Sequence, residues 1–79
     1  MREEERVVMA FENSYRVIIL NYDWEDIMLT DYPFFAHNPS RRLPKIKDIK
    51  NLMNYYSDIR DFKKCIAIKK YVKEKQITL

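Results

Sequence analysis

The chain contains no glycine among its 79 residues, and this absence limits the folds open to it. Glycine adopts a positive backbone φ angle at no steric cost, as two-residue hairpin turns and many helix C-caps require. Asn or Asp must then occupy such positions, because they tolerate this conformation best among the other residues. The composition therefore favours helices over a sheet built from tight hairpins.

Length and composition predict one small folded domain spanning residues 1–79. A chain this short buries only about 60% of its unfolded surface and has no material for a second core. Its hydrophobic share of 47% and aromatic share of 14% lie well outside the range of disordered chains. We expect it to fold, alone or as a homo-oligomer.

The first half predicts two helical segments. Residues 2–12 open with three glutamates, which favour a helix N-terminus, and Asn13-Ser14 is interpreted as a break or a turn. Residues 15–32 fit a helix interrupted near Asp23, which is placed to cap a second segment. A strand over 16–21 paired with residues 6–11 is the alternative, because this stretch is rich in β-branched residues.

The second half predicts a loop followed by two helices. Residues 33–43 carry two prolines and no periodicity, so they form a loop held by its phenylalanines. Pro44 suits the first turn of a helix. A last helix over 58–75 is capped by Ser57-Asp58, and residues 76–79 fray. The core-facing stripe of the first of these helices comprises Ile46, Ile49, Leu52, Met53 and Tyr56.

These segments predict an all-α fold, a small bundle of three to four helices. The apolar residues of the last helix drift around its axis, so it needs two neighbours, a bend or a second copy of the chain to cover them. A short strand over Cys65–Ile68 is a minor alternative. The second alternative is an α+β fold, with an N-terminal hairpin over 6–20 packed on the C-terminal helices.

Several function classes lack their required residues. The single cysteine, Cys65, forms no internal disulfide, and its spacing from His37 indicates neither zinc nor a catalytic pair. Carboxylates between Asp23 and Asp31 lack the spacing and the glycine of an EF-hand. Phosphate-binding loops also need glycine. We therefore expect a non-enzymatic protein with no cofactor or metal.

The apolar runs are too short to span a bilayer, and no signal peptide is recognisable. Together with the lone thiol, this predicts a cytoplasmic protein in a reducing compartment, with no membrane partner. A bias towards Ile, Lys, Asn and Tyr is typical of AT-rich coding sequences, such as those of low-GC bacteria and their phages.

Charge is strongly segregated along the chain. Up to Tyr32 there are eight acidic and three basic residues, a net charge of −5. From Pro33 onward there are twelve basic and four acidic residues, a net charge of +8. The two halves either neutralise each other or face different partners.

The chain also carries more aromatic side chains than the core of a small domain readily absorbs, and Tyr and Trp favour interfaces. Phe62 and Tyr56 are assigned to the core, as is Trp24 unless it joins the partner surface, while Tyr15 and Tyr55 are surface anchors. We expect a small regulator or inhibitor, of the kind that phages encode, to bind a basic protein groove through its acidic first half and the neighbouring aromatic residues. The predicted partner-binding residues are Tyr22, Asp23, Trp24, Glu25, Asp26, Asp31, Tyr32, Phe34 and Phe35.

The alternative function is binding of DNA or RNA by the basic half. Clustered lysines and arginines contact phosphates, and asparagines read base edges. Two consecutive helices near Ser57 resemble a helix-turn-helix in outline but lack its frequent turn glycine. The predicted nucleic-acid contacts are Arg41, Arg42, Lys47, Lys50, Asn51, Asn54, Lys63 and Lys64.

Overall fold

The computed structural model describes residues 2–79, and within them the fold is all-helical with no strand. Four helices follow in order: α1 (Glu3–Ile18), α2 (Trp24–Met28), α3 (Ile46–Asp58) and α4 (Phe62–Glu74). The all-α prediction is confirmed. The alternative hairpin over 6–20 and the alternative strand over Cys65–Ile68 are wrong, because helices cover most of the first segment and all of the second.

The chain forms two compact units, one ending at Pro44 and one beginning at Lys45. The first contains α1, α2 and the irregular segment that follows them. The second contains α3 and α4, which pack against each other. A single domain over residues 1–79 remains a prediction.

The break predicted at Asn13-Ser14 is wrong, because α1 continues through both residues to Ile18. Asn and Ser disfavour helix interiors when their side chains compete for local backbone groups. Here both side chains are buried and bind a distant segment of the chain instead. Because these side chains bond to a distant segment, they do not compete with the hydrogen bonds of the helix backbone, and α1 continues.

Asp23 caps α2, as predicted. Its carboxylate accepts a hydrogen bond of 3.0 Å from the backbone N–H of Glu25. Glu25 and Asp26 lie in the first turn, where negative charge complements the helix dipole. The helix is only five residues long and ends at Met28, short of the predicted end at residue 32.

The boundaries of α3 and α4 differ from the prediction by a few residues. Pro44 lies before the helix, and α3 begins at Ile46 with the Asp48 carboxylate 2.9 Å from the Lys45 backbone N–H, from which it accepts a hydrogen bond. Ser57-Asp58 ends α3 and does not cap α4. Asp61 is the cap, accepting a hydrogen bond of 3.3 Å from the Lys64 N–H.

Three described residues have positive φ: Asn21 at 60°, Arg60 at 60° and Gln76 at 55°. Asn21 fits the expectation that Asn replaces glycine, whereas Arg60 and Gln76 do not. Both follow helix C-caps in Schellman motifs, with bonds from Asp61 N–H to Tyr56 O and from Ile77 N–H to Val72 O. Helix termination thus imposes a left-handed conformation on residues that accept it at some steric cost.

The aromatic assignments were partly reversed. Tyr15, expected at the surface, is buried in the first unit, and Phe62, expected in the core, is 61% exposed. Tyr56 is buried as predicted, and Tyr22 and Tyr32 are exposed as predicted. The buried apolar residues are Tyr15, Ile18 and Ile27 in the first unit, and Ile49, Leu52, Tyr56, Cys65 and Ile68 in the second.

Candidate functional site

Asn13 lies in α1, is 2% exposed, and holds the irregular segment after α2 against this helix by hydrogen bonds. Its side-chain amide donates hydrogen bonds to the backbone carbonyls of Tyr32, at 2.7 Å, and of Phe34, at 3.0 Å. Its own carbonyl accepts a bond of 2.9 Å from the Arg16 guanidinium. One side chain thus binds the carbonyls of two alternate residues in a segment without regular secondary structure, where the Tyr32 carbonyl also accepts a hydrogen bond of 2.9 Å from the Phe34 N–H.

Ser14 continues this attachment at the next residue of α1. Its hydroxyl accepts a hydrogen bond of 2.8 Å from the Ala36 N–H and lies 2.7 Å from Nδ1 of His37. Because Ser14 is 1% exposed, no substrate can reach the hydroxyl, so this Ser–His pair is structural and not nucleophilic. His37 therefore packs the loop against α1 through Ser14.

The attachment places Tyr32 and Phe34 along different faces of α1. Phe34 borders one cavity with Val7 and Ala10, and the guanidinium of Arg6 lies 5.6 Å from the centre of its ring. Tyr32 borders the opposite face, beside Met9. The Phe34–Tyr32 pair therefore does not form one aromatic surface.

Two adjoining cavities, of about 400 and 500 Å³, run along the Tyr32 side of α1. Met9 and Tyr32 line both, so the cavities form a continuous open groove. We call it the acidic groove, and its lining residues are Glu4, Glu5, Val8, Met9, Asn13, Arg16, Tyr22, Asp26, Ile27, Thr30 and Tyr32.

The charges of the acidic groove are unevenly placed. Glu4 and Glu5 are exposed at the start of α1, and Asp26 is exposed on α2. Among the described lining residues Arg16 is the one with a basic side chain, and it is held by a hydrogen bond to Asn13 and by an ion pair of 3.8 Å with Glu12. Because Glu12 and Asn13 already bind the Arg16 guanidinium, its positive charge is partly neutralised. The groove therefore has an apolar floor and an acidic rim.

Three of the predicted partner-binding residues, Tyr22, Asp26 and Tyr32, meet in this groove. Asp23 serves as the α2 cap, and Phe35 packs edge-on against His37, with ring centres 6.1 Å apart. The remaining predicted residues that line neither cavity of the groove are Trp24, Glu25, Asp31 and Phe34.

Sequence reasoning missed the α1 side of the groove, including Met9 and Asn13. The available signal was the polar Asn13-Ser14 pair, which lies between the apolar runs 7–11 and 17–20. Such a polar pair indicates either a helix break or two buried side chains that bind another segment of the chain. Only the second interpretation predicts that the segment carrying Tyr32 lies against α1 and forms the groove.

The predicted nucleic-acid residues of the second unit fall on two helices. Lys47, Lys50, Asn51 and Asn54 are exposed and share one face of α3. On α4, Lys63 is exposed. Arg41 and Arg42 are exposed in the irregular segment of the first unit.

Lys64 has a local structural role. Its ammonium lies 3.0 Å from the Asp61 carboxylate and 5.5 Å from the centre of the Tyr56 ring. The hydrogen bond from the Lys64 side chain is the main reason that the pKa of Asp61 lies below its ordinary value of 3.8. On the same helix, partial burial raises the pKa of Tyr71.

Within residues 2–79, no three His, Cys, Asp or Glu side chains are grouped so that they could hold a metal ion. None of the helices in this part of the chain has the length and apolar character of a transmembrane helix. Comparison with protein-family models, curated proteins and solved structures finds no match to this chain.

Proposed function

We propose that the protein is a non-enzymatic regulator or inhibitor that binds a basic, partly apolar segment of a protein partner in the acidic groove. The observation that carries this proposal is the groove itself, an apolar floor with three exposed carboxylates at its rim. Aromatic and Met residues are the side chains enriched at protein interfaces. A complementary partner presents lysine or arginine beside apolar side chains.

The exposure of the lining residues favours a macromolecular partner over a small molecule. Val8 is 41% exposed, Tyr22 53% and Tyr32 44%, so the floor is open to solvent along its length. A pocket for a small ligand encloses most of the ligand surface. An open strip of large apolar side chains is instead typical of a surface that a helix or an extended segment covers.

The test uses a fluorescein-labelled helical peptide of lysines and leucines, together with a version in which every lysine is glutamate. Fluorescence anisotropy should show binding of the lysine peptide and weaker binding of the glutamate peptide. Tyr32→Lys should weaken binding of the lysine peptide by at least about tenfold, because it places a positive charge on the floor of the groove.

Leu29→Lys is the matched control. Leu29 is 87% exposed, lines neither cavity of the groove, and its substitution changes the net charge by the same amount. We expect it to retain nearly full affinity for the peptide. Equal losses for the two variants, or equal binding of the two peptides, would refute a charge-selective groove.

The exposed lysine and asparagine face of α3 favours DNA or RNA binding as a second candidate function. Its four predicted contacts lie on one side of one helix, which is the arrangement that phosphate and base contacts need. Binding should weaken steeply as salt rises and fall when Lys47 and Lys50 are changed to Gln. A gel shift with no retardation even at low salt would reject this candidate.

A further inference from the structure

Large apolar side chains at and just before the start of α4 are exposed among the described residues. Ile59, just before the helix, is 54% exposed, Phe62 is 61% exposed and Ile66 is 66% exposed. Phe62 and Ile66 lie on one face of α4, because they are four residues apart in the helix, whereas Ile59 is the C-cap of α3. We call Phe62 and Ile66 the α4 stripe.

Lysines surround the α4 stripe. Lys69 and Lys73 continue its line towards the C-terminus, and Lys63 and Lys70 flank it on one side, all four being exposed. Two copies of this helix paired face to face would bring these lysines close together, and like charges oppose such pairing. A partner for the stripe must therefore be apolar at its centre and acidic at its edge.

The acidic groove has that chemistry and a matching length. Along α1 it extends from Glu4 to Arg16, about 18 Å at the rise of an α-helix, and Phe62 to Lys73 spans about 17 Å. If α4 lies antiparallel to α1, its C-terminal lysines meet Glu4 and Glu5. Ile66 then lies close to Met9 and Tyr32, and Phe62 lies further along the groove, close to Asn13 and Arg16.

We infer that the chain associates head to tail, with the α4 stripe of one copy occupying the acidic groove of a second copy. This inference rests on the proposed role of the groove as a protein-docking site and names its partner. Such an interface joins two different surfaces, so association closes into a ring or continues as an open chain of copies.

The experiment is a complementation between two variants, followed by analytical ultracentrifugation at several concentrations. Phe62→Asp blocks the stripe and is compatible with folding, because an acidic residue at the first position of α4 suits the helix dipole. Tyr32→Lys blocks the groove. Circular dichroism checks that both variants remain helical.

The wild type should form dimers and larger species as its concentration rises, whereas each variant alone should stay monomeric. An equimolar mixture should form a dimer and nothing larger, because only one intact groove and one intact stripe remain in the pair. Leu43→Asp, at a residue 74% exposed outside both surfaces, should associate like the wild type.

A wild type that stays monomeric would overturn the inference, as would a mixture that fails to associate or variants that associate alone. This failure is separable from that of the proposed function. A monomeric wild type that still binds the lysine peptide would reject self-association but retain the groove as a docking site. Loss of peptide selectivity would reject the proposed docking site itself.

Discussion

Replacing Asn13 by alanine tests whether one buried side chain holds the groove together. Asn13→Ala removes the hydrogen bonds to the carbonyls of Tyr32 and Phe34, at 2.7 and 3.0 Å. It also removes the acceptor that positions Arg16. We expect the segment carrying Tyr32 to separate from α1 while α1 remains helical.

The magnitude follows from opposing contributions. Each lost bond to a backbone carbonyl costs about 1 kcal/mol, and loss of the Asn13 partner of the Phe34 carbonyl adds a further penalty of about 1 kcal/mol in this half-exposed setting. The Tyr32 carbonyl adds no such penalty, because it keeps the hydrogen bond of 2.9 Å that it accepts from the Phe34 N–H. Alanine gains about 0.6 kcal/mol over asparagine in a helix interior. The net loss in free energy of unfolding is about 2 kcal/mol, which lowers Tm by about 8–16 °C for a domain of this size.

The measurement is urea or thermal unfolding followed by far-ultraviolet circular dichroism and by fluorescence of Trp24, the single tryptophan, which lies in α2. Asn51→Ala is the matched control, since Asn51 is exposed in the middle of α3. It should leave stability unchanged or raise it by about 0.5 kcal/mol. If Asn13→Ala costs no more than Asn51→Ala, the attachment is not what stabilises this unit.

Three further predictions concern single contacts. Ser14→Ala should cost about 1–2 kcal/mol and speed hydrogen exchange of the Ala36 amide, as NMR would detect; unchanged exchange would contradict the attachment. Because the pKa of Asp61 is lowered in the folded chain, its stabilising effect is present above its ordinary pKa and is lost as pH falls through the lowered value. Lys64→Met should raise that pKa in a carboxyl NMR titration, and an unchanged midpoint would contradict the assigned cause. Arg60→Gly should stabilise the chain by about 0.5–1 kcal/mol in urea unfolding by relieving its positive φ, and a loss of stability would show that its side chain matters more.

Helix type was predictable wherever periodicity and end signals agreed. In α3, Ile49, Leu52 and Tyr56 recur at helical spacing and are all buried. Asp23 was recognisable as a cap because its carboxylate acts on the backbone N–H two residues on. Such interactions lie within a single turn, so the local sequence contains them.

The candidate site was less predictable, because its two sides come from distant segments. Asp26, Tyr22 and Tyr32 were identified by residue type alone. Met9 carries no such signal, and its role depends on Tyr32, which is 23 residues away in the chain.

The sequence by itself determined that the chain is helical, that Asp23 caps a helix and how charge divides between the two halves, since these follow from composition and short-range interactions. Only the tertiary structure decided that Asn13 and Ser14 continue a helix, and that Phe62 is exposed while Tyr15 is buried. The physical reason is that a buried polar side chain in a helix stabilises the fold when it finds a hydrogen-bond partner and destabilises it when it does not. For Asn13 those partners lie 19 and 21 residues away.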